Sequence, residues 1–335
     1  MEIDWKNLGF GYMKTKSHIK FCWKDGKWDN GSLIEEDVVQ MHIAATCLHY
    51  GQAAFEGLKA FTCKDGKVRV FRAGENAKRM QRSAARSFMA APPTALFIDG
   101  VNRVIRDNID FVPPYGSGGS LYIRPLLIGT GAKMGVTPAD EYTLIIMVMP
   151  VGAYYKNGLE AVPALIQDEF DRAAPLGVGD VKLAGNYAAG LYAQAEAKKA
   201  GYPINLFLDA RTHKYVEEFG TSNFIGITNG NSYITPASLS VLPSITNKSL
   251  QQLAADAGMT VEVRDIPYEE IKEFKEVGAC GTAVVLTPIA KIVRGSDVIS
   301  FPEFSAESTL AKLYRTIQAI QYGEVTDSHQ WMTEV

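Results

Sequence analysis

What the chain lacks narrows its class. It has no excess of basic charge: 34 Lys and Arg stand against 37 Asp and Glu in 335 residues, a formal net charge of −3. No global field therefore draws it to nucleic acid or an anionic membrane, and any anionic ligand has to be held by local groups. It has only four cysteines, Cys22, Cys47, Cys63 and Cys280, with no CxxC and no metal-ligand spacing. That pattern argues against a disulfide scaffold or a metal site and suits unpaired thiols in a reducing cytoplasm. The opening stretch MEIDWKNLGF has neither the basic nor the apolar region of a secretory leader. The longest apolar runs, such as residues 144–150, are too short to span a bilayer. Internal repeats and low-complexity segments are absent.

What is present describes a globular chain. Hydrophobic residues make up 47% and charged residues 21%, enough to build sizeable cores over two domains or one large one. The first part reads as mixed α and β. Residues 19–23 and 27–28 flank Asp25-Gly26, and residues 58–62 and 68–71 flank Asp65-Gly66. Asp-Gly between apolar runs is a hairpin signal, because glycine accepts the positive φ of such turns. Residues 76–89 predict a helix with Met80, Ala84 and Phe88 on one stripe, and residues 101–109 a second. Strands follow at 121–128 and 142–148. A glycine-rich connection at 152–160 divides a small N-terminal domain, 1–151, from a larger one, 161–335. The second part predicts helices at 188–200 and from Ser244 to about Ala257. Its strands are expected at 204–208, 215–218, 224–228, 233–235 and 283–286, the last after a turn at Gly278–Gly281.

Against this background one lysine stands out. Lys182, in Val181-Lys182-Leu183-Ala184-Gly185-Asn186-Tyr187, sits among small and apolar residues. Burial disfavours the charged form of a lysine and makes the neutral amine available to an aldehyde. The commonest aldehyde cofactor held this way is pyridoxal phosphate; the ordinary alternative is a lysine at a helix start. Pyridoxal phosphate also needs an anion at its ring nitrogen, a phosphate cup, ring support and a place for the substrate carboxylate. Glu218, at a strand end beside Gly220, supplies a carboxylate, with Glu217 read as a solvated neighbour. Ser244-Ile245-Thr246 opens a helix, whose N–H groups and dipole suit a phosphate, and Gly281-Thr282-Ala283 offers a small-residue turn with a hydroxyl. Arg79 can form a bidentate pair with a phosphate, the alternative being a surface arginine. Tyr122 and Arg124 alternate on a strand and so share one face, which suits a carboxylate or, equally, a solvent-facing edge.

Taken together, these segments resemble the branched-chain amino acid aminotransferases of the class IV, or fold type IV, pyridoxal phosphate family. The resemblance rests on Tyr50, on Phe55-Glu56-Gly57-Leu58-Lys59-Ala60-Phe61, on Arg79-Met80-Gln81-Arg82-Ser83-Ala84, on Leu121-Tyr122-Ile123-Arg124-Pro125, on Lys182 to Tyr187, on Glu218-Phe219-Gly220-Thr221 and on Gly281-Thr282-Ala283. It implies a two-domain α+β or α/β fold like that of D-amino acid aminotransferase. It implies reversible amino transfer from L-leucine, L-isoleucine or L-valine to 2-oxoglutarate in a homodimer or larger homo-oligomer. Lys182 would bind the cofactor aldehyde and shuttle the proton. Glu218 would meet the ring nitrogen and Tyr187 the phenolic oxygen, while Arg79, Ile245, Thr246 and Thr282 would hold the phosphate. Tyr122, with the Thr282 and Ala283 N–H groups, would bind the substrate α-carboxylate, and Arg124 the distal carboxylate of glutamate. Phe55 and Tyr154 would line the side-chain pocket, and Met134 and Val136 would reach in from a second subunit.

Two features depart from relatives. Some have glycine where this chain has Ala184. Mammalian members carry a CxxC just after the Gly-Thr-Ala turn, whereas here Val284 and its neighbours are apolar and Cys280 precedes the turn, so no thiol switch is expected and Cys280 is read as an inert buried thiol. Within the same fold, a D-amino acid aminotransferase or an aminodeoxychorismate lyase is the competing reading. A non-catalytic protein on the same scaffold is the other.

Overall fold

In a computed structural model of the chain, residues 3–5, 7–152 and 158–335 are described. They form two compact units, each with its own sheet. The first comprises Met1–Tyr154, Val181–Gly185 and Ala319–Val335, and the second Tyr155–Asp180 and Asn186–Gln318. Two segments thus depart from a single division near 152–160: residues 181–185, which include Lys182, and the C-terminal 319–335 both return to the first unit.

In the first unit the strands are β1 (His18–Lys24), β2 (Lys27–Trp28), β3 (Ser32–Ile34), β4 (Ala53–Phe55), β5 (Leu58–Thr62), β6 (Val68–Phe71), β7 (Ser120–Gly129) and β8 (Tyr142–Val151). Asp25 and Gly26, both at positive φ, turn β1 into β2. The helices are α1 (Thr46–Tyr50), α2 (Ala73–Arg86) and α3 (Thr94–Asp107). The last two begin earlier than their apolar stripes suggest: α2 opens after Arg72, at φ 51°, and α3 directly after Pro93. β7 is an interior strand, paired along its length with β8 and flanked on the other side by β4 and β5. Ile123, Leu121 and Leu127 of β7 pack with Met80 and Ala84 of α2 and with Phe97, Val101, Val104 and Ile105 of α3 in one buried cluster.

The second unit contains β9 (Val162–Ile166), α4 (Ala184–Lys199, entering from the first unit), β10 (Ile204–Leu208), β11 (Val216–Phe219), β12 (Ser222–Thr228), β13 (Ser232–Pro236), α5 (Ile245–Asp256), β14 (Thr260–Arg264), β15 (Phe274–Gly281), β16 (Val285–Arg294), β17 (Asp297–Ser300) and α6 (Thr309–Gln321), which ends in the first unit. The sheet runs β11-β10-β9-β16-β15-β12-β13-β14, and β11 also pairs with β12. Six strands therefore close on themselves and leave no edge among them. Leu206, Phe219, Phe224, Phe274, Val277 and Ile292 fill the core, Phe219 and Phe224 stacking at 5.9 Å. The expected turn at Gly278–Gly281 lies inside β15. The chain reverses instead at 282–284, where Gly281 pairs with Val285. Small residues read as a turn; the apolar run through Ala279 and Cys280 buries them as a strand. The final strand, β18 (Met332–Glu334), pairs with β6 of the first unit.

Gly100 marks the tightest packing of α3 on the first sheet. A Cβ there would lie 2.7 Å from Phe21 Cε2 and 2.8 Å from Ile146 Cδ1. Gly→Ala in a helix gains roughly 1 kcal/mol of propensity, but overpacking against an aromatic ring costs about 1–3 kcal/mol. Gly100→Ala is therefore expected to lower stability by up to about 2 kcal/mol, read from the urea midpoint; a stabilised variant would show that the helix can shift away.

Candidate active site

The first unit builds a wall of aromatic and cationic side chains around Lys182. The backbone of Lys182 is fixed on both sides. Its N–H donates to Ser83 Oγ of α2 at 2.9 Å, its carbonyl accepts from Phe55 N at 3.1 Å, and Leu183 forms a bridge with Ala54 of β4. The Nζ then lies 4.7 Å from the centre of the Phe55 ring, and the Arg124 guanidinium lies 4.9 Å from the same ring. Arg124 donates to the Tyr122 hydroxyl at 3.0 Å. Tyr122 is buried and packs edge-on against Phe10 at 5.1 Å. A Cβ at Gly57 would collide with the Tyr122 hydroxyl, so only glycine leaves room for it there. Lys182, Phe55, Arg124 and Tyr122 are thus brought together, and the solvent-facing edge reading of Tyr122 and Arg124 falls away.

Beneath this wall lies a pair that local sequence could not show. Glu56 is 0% exposed. Its carboxylate accepts from Arg79 Nε at 2.7 Å and Nη2 at 2.8 Å, from Asn76 Nδ2 at 2.7 Å and from Gly57 N at 3.2 Å. Arg79 is buried, which excludes the surface-arginine reading, and a buried arginine is stable only when its charge is paired.

The second unit presents the anion and the helix start. Glu218, on β11, accepts from Asn223 Nδ2 at 3.0 Å, from Leu242 N at 3.0 Å and from Arg172 Nη2 at 2.9 Å. Acceptor-only bonding of this kind is the pattern of an ionised carboxylate. Glu218, Asn223 and Cys280 are successive cross-strand neighbours on β11, β12 and β15. Burial, and then the Glu218 charge, push the Cys280 thiol far up, which keeps it inert. Thr282 and Ala283 follow in the half-buried turn. Asn223 also donates to the Leu242 carbonyl at 3.0 Å, so the lead-in to α5 is held beside Glu218. The Ser244 hydroxyl caps α5 by accepting from Asn247 N at 3.1 Å. Tyr233, through Asn247 and Thr235, ties the same turn to the Phe224 carbonyl. Ile245 and Thr246, in that first turn, are buried. Tyr187 lies half-buried in α4.

Glu217 departs from expectation. It is buried and not solvated, because both faces of β11 are covered. Burial pushes its carboxyl up, partly offset by the Ser238 hydroxyl, which donates to it at 2.7 Å. Met134 and Val136 are exposed, in a loop where Lys133 N donates to the Ala44 carbonyl and the Tyr50 hydroxyl to the Met134 carbonyl. Tyr154 lies outside the described residues.

Residues 53–292 match the profile of the amino-transferase class IV family. A branched-chain-amino-acid aminotransferase from Haemophilus influenzae is 43% identical over 100% of this chain and 99% of its own length. One from Helicobacter pylori is 46% identical over 99% and 98%. The crystal structure of the Escherichia coli branched-chain amino acid aminotransferase aligns with a TM-score of 0.81 at 26% identity, covering 95% of this chain and 99% of that one. A Thermobaculum terrenum enzyme in its pyridoxal phosphate form shares the fold at a TM-score of 0.81 and 22% identity, over 96% and 98%. The chain belongs to the class IV aminotransferases. Its place within that family is among the branched-chain-amino-acid aminotransferases, which match it from end to end.

The residues present fit a phosphorylated, anionic cofactor and carboxylate substrates. Nε of Arg124 and Nε of Arg172 are buried N–H donors with no acceptor among the described residues, and a buried donor left so costs about 1–3 kcal/mol. An anionic ligand or water completes such a donor.

Lys59 is a cation that the sequence reading passed over. It lies opposite Tyr122 in the β5–β7 register. The residue keeps some solvent contact, yet burial of its ammonium pushes the pKa down to about 8. The fold therefore disfavours the charged form. That cost is fully present below pH 8 and disappears as pH rises from 8 to the ordinary lysine value near 10.5. Lys59→Met is expected to stabilise the protein by about 1–2 kcal/mol at pH 7, a value reduced for the solvent contact, with the gain shrinking by pH 10. Urea unfolding at the two pH values checks this; a gain independent of pH would assign it to packing.

Proposed function

We propose that this chain transfers the amino group of L-leucine, L-isoleucine or L-valine reversibly to 2-oxoglutarate, using pyridoxal 5′-phosphate bound through Lys182. End-to-end identity to enzymes of that name is the observation that carries the reading, and the Lys182–Phe55–Arg124–Tyr122 wall supports it. When bound, the cofactor supplies an aldehyde for the amino group and a ring that withdraws electrons from the substrate Cα. The chain does the rest. Lys182 Nζ takes the Cα proton and returns it. Glu218, with its oxygens fixed by Arg172, Asn223 and Leu242, keeps the ring nitrogen protonated, and Tyr187 donates to the phenolic oxygen. Arg79, Thr282 and the first turn of α5 at Ile245 and Thr246 hold the phosphate. Tyr122 and the turn N–H groups of Thr282 and Ala283 receive the α-carboxylate. Phe55 provides an apolar wall for a branched side chain.

The pocket must also accept the second carboxylate of glutamate. Arg124 meets this need at low cost. Its charge is already held against the Phe55 ring and the Tyr122 hydroxyl, so leucine need not desolvate it afresh. The loop of the exposed Met134 and Val136 is tied to residues 44 and 50 by the Lys133–Ala44 and Tyr50–Met134 bonds, and Ile43, Leu48 and Tyr50 are exposed as well; exposed apolar side chains of this kind suit cover by a second copy of the chain. Four unpaired thiols suit a cytoplasmic location.

Purified protein is expected to be yellow and to bleach on addition of L-leucine, and Lys182→Ala to lose turnover by at least about 10²–10⁴-fold. Labelling by borohydride on another lysine would overturn the assignment. Arg124→Gln is expected to slow the half-reaction with glutamate about ten-fold or more relative to leucine, the worth of one charge-assisted contact. Equal losses with both substrates would assign Arg124 to the shared α-carboxylate.

A further inference from the structure

Arg172 lies in the loop after β9 and belongs to none of the segments on which the family resemblance rests. It is nevertheless a largely buried and paired cation of the second unit. Its side chain is 9% exposed, and its Nη2 reaches Glu218 Oε1 at 2.9 Å. The same Nη2 donates to the Gly179 carbonyl at 3.0 Å and to the Ser240 carbonyl. These acceptors belong to different parts of the site. Gly179 lies three residues before Lys182, and Ser240 four residues before the Ser244 cap of α5. Leu242, between Ser240 and Ser244, itself donates to Glu218 Oε1 and accepts from Asn223. Asn186, just after the lysine segment, donates to the Val178 carbonyl at 2.8 Å. Gly179 cannot be replaced without disturbing this arrangement. A Cβ there would lie 2.6 Å from Arg172 Nη2 and would collide with the Ser240 carbonyl.

We propose that Arg172 is a positioning residue for transamination: one guanidinium fixes the ring-nitrogen carboxylate, the approach to the cofactor lysine and the approach to the phosphate-binding helix in a single register. Chemistry favours a guanidinium in this place. The guanidinium stays charged at every relevant pH, its planar group fixes where Nη2 points, and its charge offsets that of a carboxylate that has left water. Lysine offers the charge on a flexible stem that does not fix the direction. Removing the cation leaves Glu218 buried beside two carbonyl dipoles, and the carboxyl then lowers its energy by taking up a proton. A protonated Glu218 no longer holds the cofactor's ring nitrogen in its cationic form.

This inference rests on the reading that Glu218 meets the ring nitrogen, so the experiment separates the two. The holoenzyme is prepared with pyridoxal phosphate labelled with ¹⁵N in the ring, and the ¹⁵N resonance and the cofactor dissociation constant are measured for wild type, Glu218→Gln, Arg172→Gln, Arg172→Lys and Gly179→Ala. In Arg172→Gln the resonance is expected to move toward the unprotonated position, with cofactor binding weakened about 10- to 100-fold, the range for buried charged hydrogen bonds. Arg172→Lys is expected to keep more of the protonated signal and still bind the cofactor more weakly. Gly179→Ala retains the charge and displaces Nη2, so it should weaken binding with little change in the resonance. A wild-type resonance and dissociation constant in Arg172→Gln, with only the melting temperature lowered, would make Arg172 merely structural. Should Arg172→Gln fail to fold, wild-type values in both Arg172→Lys and Gly179→Ala would overturn the proposal equally. A protonated signal in Glu218→Gln would instead overturn the placement of Glu218.

Discussion

The burial of Glu56 with Arg79 is the constraint on which the first unit's site depends. A carboxylate with no solvent exposure is tolerable only if every lone pair is answered, and here a bidentate guanidinium, Asn76 and a backbone N–H answer them. That requirement locks the turn between β4 and β5 to α2. Ser83, one turn along α2 from Arg79, then holds the backbone of Lys182, and Phe55, next to Glu56, receives the lysine carbonyl's hydrogen bond on its own N–H. The ion pair is worth little as net stabilisation. Its effect is specificity: β4, α2 and the lysine segment have one arrangement that leaves no buried charge alone.

The second unit solves a similar problem with a different partner. Its carboxylate, Glu218, sits on a strand of a closed sheet, where neighbours on both sides are hydrogen-bonded and movement is restricted. Asn223 opposite and Leu242 on the α5 lead-in both attach to it. The anion and the start of α5 therefore belong to one hydrogen-bonded frame, further anchored by the Tyr233–Asn247–Thr235 chain.

The residues proposed to carry the chemistry stand out in the sequence because each announces itself locally. Lys182 is a cation in an apolar, small-residue setting; Ser244 is an N-cap before a helical pattern; Tyr122 and Arg124 alternate. Strand and helix positions followed the apolar periodicities, with ends displaced where capping and pairing decided the boundary, as at Gly278–Gly281. What could not be read was partnership at long range. The match of Glu56 to Arg79 and of Arg172 to Glu218 spans 23 and 46 positions in the chain, and nothing in either residue's neighbourhood names the other. Glu217 was misread for a related reason. Alternation predicts two faces, one of them wet, but a strand whose two faces are both covered buries a carboxylate on either side.

The first unit is discontinuous in the chain. Its central strands are complete by residue 151, yet residues 181–185 and 319–335 also belong to it, and β18 pairs with β6 across more than half of the sequence. During synthesis the N-terminal sheet therefore waits, with the β6 edge unpaired, until nearly all of the second unit has been made. Closing so long a loop is entropically slow, and an open strand edge is an invitation to wrong pairing. The lysine segment is made after β8 but long before β18, so the amine takes its place against β4 while the β6 edge is still open.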